Sequence, residues 1–445
     1  MLFTDRSFSV LHRICAVFLL LLLGAPQTGT ACQQKVELTG RTMGPIPYKV
    51  LVSTDDVRPE RLKQIQETVQ KSLARVNELM STYQPDSDIS KFNRSESTDW
   101  FDVDPETALV VKRALTISEQ TNGAFDPTVG PLVKLWNFGP GKKEEATLPA
   151  EKEIAKRLES VGADKLDVRT DPPALKKSVA ELEVDLSAIA KGYAVDRVCR
   201  SLSEIGLKDC MVSVGGEVMT VGERAGGGKW RVAIEKPTQS KFAAEGEEIL
   251  RVVELSGEAV ATSGDYRNFF EIDGEKYSHT IDAKTGHPVK HSMATASVVA
   301  KDCMTADALA TAVMVMGKEK GQQLSEQLKF ALLTVEREGE ENVIESSDDY
   351  PKEFRDSDPS DEGEKGDSSE PKKSSILLTF VFTFGIFALA ILGMAVGAIL
   401  NNKPVTGSCG GLAAMTNEDG EEVCGICSKP TVDCDQPIPQ PEAAS

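Results

Sequence analysis

Ile376 to Leu400 is a run of 25 residues without a charge. At 1.5 Å per residue, a helix of that length crosses a bilayer core of about 30 Å. Inside lipid every backbone N–H and C=O must find its partner within the segment, so the run is expected to be one transmembrane helix. It leaves a long N-terminal part and a short tail, Asn401 to Ser445. At the other end, Arg6, His12 and Arg13 precede the apolar run Ile14 to Leu23, which is too short to span and reads as an export signal over residues 1–31. Gly29-Thr30-Ala31-Cys32 admits two cleavages: an ordinary one after Ala31, or one that leaves Cys32 at the N-terminus with a lipid attached.

The chain is acidic, with 69 Asp and Glu against 50 Lys and Arg, a formal net charge of −19. A nucleic-acid partner needs a dense basic face, and the sequence has none. Much of the acidity is local. Asp356 to Glu370 holds seven acidic residues and one lysine, so residues 356–375 read as a solvated linker. Residues 36–355 read as a globular region. Within it Leu62, Ile65, Val69, Leu73, Val76 and Met80 recur every three or four positions behind Pro59, which predicts an amphipathic helix. Asp104-Pro105-Glu106 opens a second, with Leu109, Val110, Ala114 and Ile117 on its apolar face. Asp185 is expected to cap a third, with Leu186, Ile189, Ala194, Val198, Leu202 and Ile205 inward and Gly206 stopping it. Strands are predicted at Tyr48–Val52, Met211–Val214, Trp230–Ile234, Leu250–Val253 and Ala296–Ala300. The irregular alternation predicts an α+β fold.

Several stretches carry more glycine and small polar residues than a core requires. They are Thr42-Met43-Gly44, Gly123 to Thr128, Asp185 to Gly192, Val214 to Glu217, Ala261 to Tyr266, His279 to Asp282, and Ala306 to Thr311. A capped helix start at Asp185 offers N–H groups and a positive dipole end to phosphate, with Lys191 adding a cation; an ordinary capped helix would look the same. Asp307 and Thr311 stand at i and i+4, so their oxygens share a helix face, which suits a hard cation such as Mg²⁺ and equally a polar surface pair. His279, flanked by Ser278 and Asp282, is a candidate general base. The spacing of His279, His287 and His291 is not that of a zinc site. Cys199, Cys210 and Cys303 read as structural or free thiols.

Taken together, Gly-Ala-Phe-Asp-Pro-Thr from Gly123, Ala-Ile-Ala-Lys-Gly-Tyr-Ala-Val-Asp from Ala188, Ala-Thr-Ser-Gly-Asp-Tyr from Ala261 and Ser-His-Thr-Ile-Asp from Ser278 form a specific set. In content and order they resemble the ApbE family, the FAD:protein FMN transferases, over Leu38 to about Phe354. The resemblance implies that a threonine hydroxyl of a target protein attacks the flavin-side phosphorus of FAD. AMP then leaves, and FMN stays as a phosphoester, with Mg²⁺ on the pyrophosphate. Carried over by motif, the metal ligands are the Ala188 carbonyl, Asp307 and Thr311. Lys191 and Asp185 contact FAD, while Met43, Tyr83, Ala124, Phe125, Asp126 and Ile281 line its pocket. Lys191 stabilises phosphate charge, and His279 is the base. Two positions depart from the family: Pro45 replaces a threonine after Met43-Gly44, and Ala283 replaces a proline after Asp282. Two rival outcomes stay open, hydrolysis of FAD to FMN and AMP, and flavin binding without catalysis. Asp282-x-x-Thr285-Gly286 has the outline of an FMN acceptor, but His287 and Pro288 follow where small and hydroxyl residues belong, so self-modification is not expected.

The tail carries Cys409, Cys424, Cys427 and Cys434, the middle two as C-x-x-C. Two disulfides or an iron or other metal site would each use these thiols. If the signal exports the globular region, the span leaves the tail in a reducing cytoplasm, which disfavours disulfides. Lys372 and Lys373 before the span, against Lys403 after it, pull the other way. Ile376 to Cys434 is similar to the small maturation factor of the sodium-pumping NADH:quinone reductase. That similarity implies iron delivery and makes subunits of that reductase the expected flavin acceptors. The expectation is a single-pass bacterial inner-membrane protein, with a periplasmic flavin transferase and a cytoplasmic tail.

Overall fold

The computed structural model describes residues 33–140, 147–237, 248–266, 268–339 and 341–354, together with the short antiparallel pair Met415–Thr416 and Glu422–Val423. The expected signal, Cys32, the linker, the span and the four tail cysteines lie outside the described residues. Chain contacts divide the protein into two units, Met1–Asp356 and Ser357–Ser445.

The first unit is built on an eight-stranded sheet: β1 (Gln34–Thr42), β2 (Ile46–Thr54), β3 (Cys210–Val214), β4 (Glu217–Val221), β5 (Ala259–Gly264), β6 (Met293–Ala300), β7 (Ala331–Glu338) and β8 (Glu341–Ser346). The strands lie in chain order, and every neighbouring pair is antiparallel. The sheet is thus a meander interrupted by excursions, the longest between β2 and β3. Helices α1 (Pro59–Met80), α2 (Pro105–Gln120), α3 (Ala190–Glu204) and α4 (Cys303–Met316) belong to these excursions.

Alternation along the strands assigns the two faces. Ala259 and Ala261, Ala296 and Val298, and Leu332 face the helices, in one core with Ile65, Val69 and Val76 of α1 and Leu309 and Val313 of α4. Val260, Val299, Leu333 and Val335 face the other way, against a hairpin of Trp230–Glu235 and Ile249–Leu255. The result is α+β, with helices on one face and a β-hairpin on the other. A third apolar cluster joins Leu132, Trp136 and Ile154 to Tyr277, Ile281 and Ala283.

All five predicted strands and the first two predicted helices form where periodicity places them, with Asp104 accepting the Glu106 N–H as the N-cap of α2. Leu109 is an exception, 46% exposed on the outer side of α2. The third helix starts later than expected. Asp185 does not cap it; its Oδ1 accepts the Ser187 N–H at 2.8 Å, and the Leu186 carbonyl takes the N–H groups of Ile189 and Ala190 at 3.0 and 2.8 Å. A short Asp side chain can bond its own backbone two residues on, and here that local turn wins over a cap. The helix begins at Ala190 and ends before Gly206 (φ 84°).

Helices α3 and α4 cross at very close range. A Cβ on Gly192 would stand 2.2 Å from the Cys303 carbonyl oxygen, a backbone atom that cannot swing aside. Asp196, one turn further along α3, accepts the N–H groups of Cys303 and Met304 at 2.9 Å each, while Asp302 caps Thr305. Carboxylates therefore satisfy the free donors at the start of α4. Burial pushes the Asp196 carboxyl up to about 7, against the pull of those two N–H groups. Cys199, Cys210 and Cys303 are free and buried. Gly192→Ala must push the two helices apart, and overpacking of this kind costs about 1–3 kcal/mol or more. Thermal unfolding should show a clear drop in midpoint, and an unchanged midpoint would contradict the close crossing.

Candidate active site

The antiparallel register gathers several turns at one end of the sheet. Thr42 pairs with Ile46, Tyr48 with Val214, and Val260 with Val218. The β1–β2 turn, the Gly215-Gly216 turn and the end of β5 at Ser263 therefore lie at the same edge. Met43 (φ 48°) and Gly44 (φ 83°) make the first turn in left-handed conformations. Pro45 fits it without the lost N–H, and its carbonyl accepts the Arg41 guanidinium at 2.7 Å.

Into this edge comes Lys191 from the first turn of α3. Its Nζ donates to Asp307 Oδ1 and Oδ2 at 3.0 and 3.3 Å and lies 3.0 Å from Glu217 Oε1. Both carboxylates are buried, with side chains only 2% (Asp307) and 4% (Glu217) exposed. Asp307 Oδ2 also accepts the Gly192 N–H at 3.0 Å, so a helix-start donor expected for phosphate is already used. Glu217 Oε2 is buried with no hydrogen-bond partner. Burial pushes the Lys191 ammonium down, but Asp307 and Glu217 outweigh it and hold it charged above the usual lysine range. Burial pushes the Glu217 carboxyl up, and Lys191 offsets this only in part.

Thr311, one turn beyond Asp307, brings its hydroxyl 3.1 Å from that of Ser263 and so ties α4 to the end of β5. Ala188 sits partly buried in the turn that leads into α3. Asp185 and Tyr83 line a cavity of about 310 Å³, which Asn93, Arg94 and Lys134 also face. Tyr83 is 67% exposed there. The Asp185 N–H donates to the Pro127 carbonyl at 2.8 Å, which seats the Gly123 to Thr128 loop beside it. In that loop Phe125 is packed into the main core. Asp126 accepts from the Thr128 N–H and hydroxyl and from the Ala163 N–H, at 2.8, 2.6 and 3.1 Å. These two side chains organise the loop, while Ala124 packs partly buried against the core.

His279 follows the hairpin of Phe269–Ile272 and Glu275–Ser278. Its Nδ1 lies 3.0 Å from the Asn268 carbonyl, which can only accept, so the neutral ring carries its proton on Nδ1 and leaves Nε2 basic. Ser278 and Asp282, its sequence neighbours, are engaged elsewhere: Ser278 Oγ accepts the Thr280 N–H and Asp282 Oδ1 the Lys284 N–H. The second bond helps hold the Asp282–Gly286 turn, which Gly286 N–H to the Asp282 carbonyl closes at 2.8 Å without the missing proline. Phe138 meets the imidazole edge-on at 6.3 Å, and stacks on Phe270, which stacks in turn on Tyr277. Ile281 is buried in the same cluster.

The family model described as the ApbE family matches residues 29–333. This chain belongs to the ApbE family. A second family model, (Na+)-NQR maturation NqrM, matches residues 398–440. The FAD:protein FMN transferase of Vibrio cholerae is 39% identical over 317 residues, spanning 71% of this chain and 91% of that protein. That of Haemophilus influenzae is 36% identical over 328 residues, or 72% and 93%. Among solved structures, the flavin transferase ApbE from Vibrio cholerae superposes with a TM-score of 0.64 at 37% identity, over 71% of this chain and 98% of that one. The apo Pseudomonas stutzeri flavinyl transferase ApbE gives 0.64 at 35%, over 71% and 95%. The first unit is an enzyme of the FAD:protein FMN transferase class.

Of the residues the motifs single out, Lys191 and Asp307 meet directly, Thr311 stands one turn beyond Asp307, and Ala188 lies in the turn three residues before Lys191. Two residues with no role assigned from sequence support them: Glu217 lies 3.0 Å from Lys191, and Asp196 holds the start of α4 against α3. Glu217 was visible only as the end of a Gly-Gly-Glu turn, and Asp196 only as the last residue of the Ala188 motif. Burial, with Lys191's charge adding to it, lowers the His279 pKa below its ordinary 6.5. An unfolded chain then takes up a proton near pH 6.5 that the folded chain refuses. The stability His279 contributes is complete above pH 6.5 and is lost as pH falls towards the lower folded value. An NMR titration of the imidazole should place its midpoint below 6.5; a midpoint above that would contradict the partly buried, Asn268-oriented ring.

Proposed function

We propose that this chain moves FMN from FAD to a threonine of acceptor proteins in a Mg²⁺-dependent reaction, with the Lys191–Asp307–Glu217 cluster at the pyrophosphate. The observation that carries this reading is the buried cluster itself. Two buried carboxyl groups face one ammonium, and one of their oxygens is unpartnered. Thr311 and the Ala188 carbonyl add hard oxygen donors, so the set fits Mg²⁺, which takes few protein ligands when phosphates complete its shell. When bound, Mg²⁺ would neutralise charge on the pyrophosphate oxygens.

In this mechanism the acceptor Thr hydroxyl attacks the flavin-side phosphorus. Its proton passes to His279 Nε2, the bond from phosphorus to the bridging oxygen breaks, and AMP departs with the electron pair. Lys191 stabilises charge on the phosphate oxygens, and positioning by the cavity beside Tyr83 and Asp185 supplies much of the remainder. The match of residues 398–440 to a reductase maturation family supports subunits of the sodium-pumping NADH:quinone reductase as acceptors, and a role for the tail in metal-centre maturation. The uncharged run Ile376 to Leu400 supports a single-pass tether, and the export signal over residues 1–31 supports a transferase outside the cytoplasmic membrane with the tail inside.

Incubation with FAD, Mg²⁺ and a reductase subunit should release AMP only with the acceptor present and add one FMN to it by mass. AMP release without acceptor would make the enzyme a hydrolase; no AMP in either case would leave flavin binding alone. Asp307→Ala should lower the transfer rate at least a hundredfold, the scale for removing a preorganised charge-stabilising group. Retained transfer would contradict the assigned metal site.

A further inference from the structure

Lys191 lies across both oxygens of Asp307, at 3.0 and 3.3 Å, and the Gly192 N–H takes a further position on Oδ2. Little of that carboxylate remains for a metal. A divalent ion at its usual distance of about 2.1 Å from Oδ1 would stand at most about 5 Å from the ammonium, both cations sharing one buried oxygen. The protein supplies a second place for the lysine. Glu217 Oε1 is 3.0 Å from Nζ, and Oε2 of the same carboxylate is buried without a partner. Gly215 leaves the room: a Cβ there would fall 3.2 Å from Oε2 and 3.4 Å from Lys191 Cδ, in a left-handed backbone conformation (φ 67°).

We propose that Glu217 is the alternative anchor of Lys191, taking the ammonium when a divalent cation occupies Asp307. Glu217 is thus a positioning residue, and it acts on the metal through the lysine. The inference rests on the assignment of Asp307 to the metal. Without Glu217, Lys191 has only Asp307 to hold it and competes fully with the ion. Glu217→Gln keeps the shape and removes the charge, so it weakens metal binding without touching a ligand.

The test is Mn²⁺ affinity of the purified full-length chain, read by electron paramagnetic resonance without FAD. Wild type should bind one Mn²⁺ that Asp307→Ala abolishes; no such binding would refute the metal assignment itself. Given that binding, Glu217→Gln should weaken it about tenfold, and by less than twofold in a Lys191→Met background, because the coupling runs through the lysine. An equal loss in both backgrounds would make Glu217 a direct ligand, and no loss in either would make it a bystander; each overturns the proposal. Should Lys191→Met fail to fold by circular dichroism, a Mn²⁺-bound crystal structure of the wild type decides. Lys191 is then expected within hydrogen-bond distance of Glu217 and off Asp307. Lys191 still on both Asp307 oxygens, or Glu217 on the metal, would overturn the proposal.

Discussion

A lysine ammonium held between two buried carboxylates is the constraint on which the rest of this structure turns. Either carboxylate would be costly to bury alone, and each is tolerated because the Lys191 ammonium lies at about 3 Å. The three come from α3, α4 and the start of β4, so the cluster forms only when all three elements are docked. Gly192 lets α3 approach the Cys303 backbone, and Asp196 clamps the first turn of α4 to α3. Thr311 and Ser263 tie the other side of α4 to the sheet. Packing, helix capping and chemistry are therefore one arrangement.

The meander explains why the site sits where it does. With neighbouring strands antiparallel and in chain order, alternate turns come to one end of the sheet, and the Met43, Gly215 and Ser263 segments arrive together. The helices enter from one face of that end. The small aromatic cluster around Phe138, Phe270, Tyr277 and Trp136 holds the hairpin that delivers His279. Lys191's charge still reaches the imidazole, which contributes to keeping it neutral.

Element types were legible where burial imposes a period, 3.6 on α1 and 2 on Cys210–Val214 and Trp230–Glu235; β5 to β7 are buried on both faces, and of these three only β6 was predicted, from Ala296–Ala300. The partners of the strands were not legible. Nothing in the periodicity of Tyr48–Val52 says that β2 pairs with β3, more than 150 residues later. Asp185 misled because a side chain that caps a helix can equally close a turn, and the choice was made by packing of Leu186 and Ile189. Lys191, Asp307 and Thr311 were found through a set of motifs, none decisive alone. Glu217 carried no such mark, since its role depends on a salt bridge between elements distant in sequence. The Asn268 carbonyl, which orients the His279 ring, was hidden for the same reason, since it meets the ring from eleven residues away rather than from the flanking Ser278 or Asp282.

The account stands or falls on whether the cluster acts as a unit in phosphoryl transfer. The most direct measurement is the single-turnover rate of FMN transfer to an acceptor subunit for Lys191→Met, Asp307→Asn and the double variant, each checked for a folded circular dichroism spectrum. Residues that act together lose most of their effect with the first removal, so the double variant should be no slower than the worse single one by more than a few fold. Losses that multiply fully would show two independent contributions and contradict the shared site.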